Sequence, residues 1–358
     1  MQYTFEISVS GCNTKCAHCY VSGGPATPMP HEKFDIALKN LRIIIEGLEG
    51  EKAVTLGNEI FTHPNLLEIL QTTHKILPEY SSYRSMGEGM PTTALALLNR
   101  KDKEYIIRAI KKMDCFSFDF TLLGGKTSHN AMVENELAFD ALINFTHWTK
   151  EMGLEFGINL MMCKPLIEDW HEVAGFLEKF PGAAVSAVIP AFLPVSRLRS
   201  FQKYRAEYND YIKLRGQLSR FGIDESDFFS QVDRYCERSV FDMLSSNPHF
   251  DYREDESLLP KWAFFNISNN YDIFYGNVGM HTLKLGNVLE DDAQELLKKI
   301  QGLPPNYDWS AYYDLNKLPP LGELLSSLPV LKTNYVYPRI QDCIYSWLDL
   351  RGIPSILT

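Results

Sequence analysis

The feature that most constrains this chain is a regular alternation of strand-like and helix-like segments over its first 190 residues. TFEISVS (4–10) alternates apolar and polar positions, as a half-buried strand does. HEKFDIALKNLRIIIEGLEG (31–50) carries apolar residues at helical spacing and is expected to stop at Gly50. KAVTLG (52–57) reads as a second strand. Asn65 stands where it could cap a helix bearing Leu66, Ile69, Leu70, Thr73 and Leu77. YSSYRSM (80–86) is a third, polar strand, and a helix over 102–113 leads into CFSFDF (115–120). Two further pairs follow: helix 136–153 with strand LEFGINLMM (154–162), and helix 168–180 with strand AAVSAVIP (183–190). Strands separated by helices in this way pair in parallel through right-handed crossovers. Eight such units close a barrel and six do not. The expectation is an α/β fold, a partial (βα)6 TIM-like barrel with its site at the C-terminal strand ends.

The pattern changes after residue 195, which suggests a barrel over 1–195 and an α+β extension over 196–358. Residues 198–246 look helical and 250–262 look loop-like. FFNISNNYDIFYGN (264–277) reads as a hairpin turning at Asn269-Asn270, and KLGN (284–287) as a turn before a helix. The stretch beyond 303, rich in Pro, Leu and Tyr, matches no template.

GCNTKCAHCY (11–20) places Cys12, Cys16 and Cys19 in the loop after the first strand. The chain has seven cysteines in 358 residues, with the other four scattered, so they form no disulfide framework. There is no signal-peptide pattern and no apolar run long enough to span a bilayer. A reducing cytoplasm is the expected setting, where clustered thiols serve as metal ligands. A net charge of −10 argues against nucleic acid as a partner. Thiolates suit zinc or iron–sulfur clusters. A closed zinc site needs a fourth ligand, and His18 sits awkwardly between two cysteines for that duty. Three thiolates on a four-iron cluster leave one iron open.

Cys-x3-Cys-x2-Cys after the first strand of a βα barrel resembles the radical S-adenosylmethionine superfamily, with His18 where the family commonly has an aromatic residue. The resemblance implies a 4Fe–4S cluster on Cys12, Cys16 and Cys19 and S-adenosylmethionine on the open iron. It also implies reductive cleavage of that cofactor, hydrogen abstraction from a substrate, and a low-potential flavodoxin or ferredoxin as reductant. TLGNEIFTHPNL (55–66) resembles the family's Gly-Gly-Glu motif, with Gly57, Asn58 and Glu59 as cofactor-binding residues and Glu59 accepting from the ammonium. RSMGEG (84–89) departs from the family's third-strand pattern. FSFDF followed by SHN resembles a Ser-x-Asp and His-Asp pattern, making Ser117 a cofactor candidate and Asp119 a weaker one. The arginine that often comes next is missing from AMVENE. GIN (157–159) resembles the ribose-contacting segment and singles out Asn159. Cys163, on the same strand face as Asn159, is either a small buried residue or a hydrogen-atom donor in catalysis.

Residues 265–297 resemble a SPASM or twitch extension that lacks the cysteines of auxiliary clusters; Val278, Gly279 and Met280 stand near the place of one of them. That implies a single cluster and favours redox-neutral outcomes such as rearrangement, epimerisation or elimination. A small-molecule substrate, in natural-product biosynthesis, is the first expectation, since the first strand begins almost at residue 1. Modification of a ribosomally made peptide is the alternative, and a zinc-stabilised binding protein is the rival from another class.

Overall fold

The computed structural model describes residues 2–19, 23–79, 90–112, 117–192, 196–247, 262–276, 283–303, 317–328 and 333–353. Its strands are β1 (Gln2–Ile7), β2 (Glu51–Leu56), β3 (Met90–Pro91), β4 (Ser117–Leu122), β5 (Glu155–Met161), β6 (Ala184–Val188), β7 (Trp262–Ile267), β8 (Asp272–Tyr275) and β9 (Leu283–Asn287). They form two sheets, β3-β4-β5-β6 and β2-β1-β7-β8-β9. Every pairing from β1 to β6, and that of β1 with β7, is parallel; β7-β8-β9 runs antiparallel. This is the expected partial barrel, its first six strands wound with helices.

Alternation along β4 shows how the sequence sorts the two faces. Phe118, Phe120 and Leu122 are buried outward. Phe118 and Phe120 both meet Phe145 of the covering helix Ala138–Glu151 edge-on, with centroids 5.2 Å apart. Asp119 and Thr121 point the other way, into the barrel. The register sets Asp119 beside Gly157 and Thr121 beside Asn159.

Three expectations change. The first long helix spans Phe34–Glu46 and ends at Gly47 rather than Gly50. A Cβ on Gly47 would stand 2.2 Å from Leu297, so the helix Ala293–Gln301 crosses there. KLGN is not a turn but most of β9, which pairs with β8 across a bulge at Ile273/Phe274. The third strand is Met90–Pro91, whereas YSSYRSM and RSMGEG lie outside the described residues, as do Cys115, the 250–261 connection and Val278–Met280.

The extension is joined to the barrel. β7 lies against the edge of β1 opposite β2, and Phe265 stacks on Phe5 with centroids 4.9 Å apart. One apolar core therefore runs from Phe5 to Ile300 across residue 195. A second, smaller core gathers Phe192, Leu244, Leu324, Tyr337 and Trp347 around the helix Ile340–Leu350. Arg205, 1% exposed, ties the cores together: its guanidinium donates to the Pro190 and Val336 carbonyls and lies 4.3 Å from the Tyr337 ring centroid. Tyr337, from the tyrosine-rich stretch that matched no template, is thus core; NYDWSAYYD (306–314) is outside the described residues. Among the described residues no helix is long and apolar enough to cross a membrane.

Candidate active site

The loops leaving β1, β2, β3 and β4 enclose a cavity of about 210 Å³ at the C-terminal strand ends. Parallel strands converge their exits on one end of a barrel, so residues far apart in sequence meet there. Cys12, Cys16 and Cys19 all line the cavity. Their loop is held by backbone bonds from Cys12 N to Gly24 O (2.8 Å) and Ala17 N to Met132 O (2.7 Å).

Two of the sulfurs have hydrogen-bond contacts: Gly23 N–H points at Cys19 Sγ (3.1 Å), and Thr14 Oγ1 lies 3.4 Å from Cys16 Sγ. Gly23 must be small: a Cβ there would stand 3.0 Å from Cys12 Sγ and 3.4 Å from Cys19 Sγ. Burial pushes the free thiols up, Cys12 to about 12 and Cys16 to about 11. Buried thiols of this kind ionise when a cation compensates the charge.

Glu59 is 2% exposed at the far wall. Its Oε2 accepts from Thr93 N (2.7 Å) and Thr93 Oγ1 (2.8 Å), while Thr92 Oγ1 lies 3.1–3.2 Å from both oxygens. Burial raises its pKa, and the hydrogen bonds from Thr93 and Thr92 oppose that. Oε1, with one partner at 3.2 Å, keeps room for another donor. Asn58 reaches φ 64°, the left-handed region that asparagine tolerates better than most residues, and its Nδ2 donates to Ser10 O (3.0 Å). Its Oδ1 is buried without a partner.

Two imidazoles complete the lining. Burial lowers both His18 and His129 to about 4, so both are neutral. His18 Nδ1 is buried without a partner, and Leu123 N donates to His129 Nδ1 (3.4 Å).

The sequence-derived candidates divide. Cys12, Cys16, Cys19, Asn58 and Glu59 come together at the cavity. Gly57 does not line it; its small size is needed beneath, where a Cβ would meet Glu6 Oε1 at 2.3 Å. Ser117 is the first residue of β4, opposite Glu155, and its side chain is outside the described set. The residues of that strand that reach the cavity are Asp119 and Thr121, two and four positions nearer the C-terminal end. Asn159 lies beside Thr121 but accepts a hydrogen bond from Ser186 Oγ and is not part of the lining. Cys163 is corrected outright as a residue facing the site: it is 0% exposed, sits in the apolar core, and its thiol points at Leu123 O (3.4 Å). It follows the end of β5, where the chain turns into the helix Lys164–Glu168 and carries the side chain away from the cavity. His63 bridges Met29 O and Asn65 N, a packing role.

Thr92, Thr93 and Thr121 escaped sequence reasoning, and His129 entered it only within the SHN motif. The available signal was Thr92-Thr93, which directly follows the strand Met90–Pro91.

No family model matches the chain, and no curated protein matches it. Solved structures do. A structure of anSMEcpe with bound AdoMet and Cp18Cys peptide is 14% identical, with 98% of each chain covered and a TM-score of 0.55. Streptococcus suis SuiB bound to S-adenosylmethionine is 16% identical, covering 84% of this chain and 66% of that one, with a TM-score of 0.50. The chain thus shares the fold of these proteins.

Proposed function

We propose that the chain is a radical S-adenosylmethionine enzyme. The observation that carries this reading is the set of three thiols lining one cavity with Glu59, Cys19 Sγ already accepting from Gly23 N–H. Donors to sulfur and burial are the levers by which proteins hold and tune iron–sulfur centres. Two similar folds hold S-adenosylmethionine, which supports the same cofactor here.

When bound, the 4Fe–4S cluster and S-adenosylmethionine supply one-electron reductive cleavage and a hydrogen-abstracting radical. The protein's own part is placement and exclusion of water. Cys12, Cys16 and Cys19 would hold three irons and leave the fourth toward Glu59. Glu59 Oε1 would accept from the cofactor's ammonium, while Thr92 and Thr93 keep the carboxylate aimed. The unpaired Asn58 Oδ1 and His18 Nδ1 are buried polar atoms that a polar ligand would satisfy. Asp119 and Thr121 stand on the inner wall, toward a substrate.

Cys236 and Cys343 are each buried in apolar core, consistent with one cluster in a SPASM-like chain and with redox-neutral chemistry. A small molecule is the proposed substrate, reduced flavodoxin or ferredoxin the electron source, and the cytoplasm the setting. The full-length superposition on anSMEcpe with its peptide favours a peptide as the second reading.

Anaerobic reconstitution tests the proposal. We expect about four irons per chain and 5′-deoxyadenosine on reduction with dithionite, both lost in the Cys12/Cys16/Cys19→Ala variant. Stoichiometric zinc with intact S-adenosylmethionine would refute it, and about twice the iron would refute the single cluster.

A further inference from the structure

Outside the three-cysteine loop, one cation is aimed at it. Arg197 comes from the helix Ser196–Phe201, which follows the last barrel strand. Its Nη1 donates to Gly23 O at 2.6 Å, and Gly23 N is the donor to Cys19 Sγ. Its Nη2 stands 3.8 Å from where a Cβ on Gly24 would be. Phe201 of the same helix meets the ring of His18 edge-on, with centroids 6.4 Å apart. Among the described residues no carboxylate pairs with it, unlike Arg199 two positions on, which pairs with Asp349 at 2.9 Å. Arg197 is thus half-buried against the loop that carries the three cysteines, its charge unopposed by any described carboxylate.

We infer that Arg197 is a positioning residue whose charge raises the reduction potential of the cluster and whose guanidinium pins the cluster loop. The inference rests on the radical-enzyme reading. A cluster held by three thiolates becomes more negative on reduction, so a fixed cation stabilises the reduced form more than the oxidised one. The effect is enlarged where water is excluded. The same bond makes the loop depend on the segment after β6, so the extension takes part in the cluster's environment.

The experiment is an EPR-monitored redox titration of reconstituted wild type, Arg197→Gln and Arg197→Lys. Gln keeps a hydrogen-bond donor and drops the charge; Lys keeps the charge. The expected result is a more negative midpoint for Gln, by about the 59 mV that corresponds to a tenfold change in the reduced-to-oxidised ratio, with Lys near wild type. Loss of the cluster in Gln alone also supports the role of charge. Equal midpoints in all three proteins, equal shifts in both variants, or loss of the cluster from both variants would overturn it. A wild type that assembles no iron–sulfur cluster defeats the functional reading instead, and is seen in that arm alone.

Discussion

Glu6 illustrates how a single side chain constrains the site from below. It is buried on β1, against Gly57, and burial alone raises its pKa to about 7. Among the described residues no side-chain partner stabilises its charged form, so the folded state holds the proton up to about pH 7. The sign follows: the folded pKa lies above the unfolded value near 4.5, so Glu6 contributes fully below that pH. The contribution is lost as pH rises through about 7 and amounts to ~3 kcal/mol. His18 and His129 work in the opposite sense, since their lowered values cost stability as pH falls from 6.5 toward 4. Urea unfolding of wild type and Glu6→Gln at pH 5 and pH 8 separates the terms. The gap between the two proteins should change between those pH values, whereas a pH-independent gap would show that Glu6 is ionised throughout. At this scale Gly57 was legible as glycine but not for its reason. The motif pointed to a ligand, and the crowding comes from a carboxyl on the neighbouring strand.

At the scale of elements, local chemistry set most boundaries. The helix Ala293–Gln301 begins where Asp292 accepts from Gln294 N and Glu295 N, each at 3.0 Å. Asp292→Ala should lower stability by ~1 kcal/mol, read as a lower urea midpoint at an unchanged slope. Asp292→Asn should recover most of it, and iron content should not move. The hairpin was legible because its turn residues are local, and β7 and β8 do meet antiparallel around 268–271. The third strand was not. A two-residue strand has no periodicity to read, and pairing with β4 is what defines it. Misplacing it hid Thr92 and Thr93, the residues that grip Glu59.

For the whole molecule, the joined sheet matters most. β1 is flanked by β2 on one side and β7 on the other, and β1 also carries the chain into the cysteine loop. A chain truncated after residue 195 would leave that edge unpaired and Phe5 without Phe265. It should aggregate or elute as a broad species on size exclusion and should fail to hold iron. A monodisperse, iron-binding fragment would show the barrel to be self-sufficient.

The sequence by itself determined what nearest neighbours can specify. The strand–helix rhythm came from hydrophobic period, the three-thiol loop from a short spacing after the first strand, and Glu59 from its resemblance to a Gly-Gly-Glu motif after the second. Only the tertiary structure decided which residue of each strand reaches the cavity. It brought Asp119 and Thr121 of β4 to the cavity, because depth along a strand depends on register with its neighbours. It also put Cys163 in the apolar core and brought Arg197 against the cysteine loop. Face and distance across a barrel come from how its elements pack, and no local pattern encodes them.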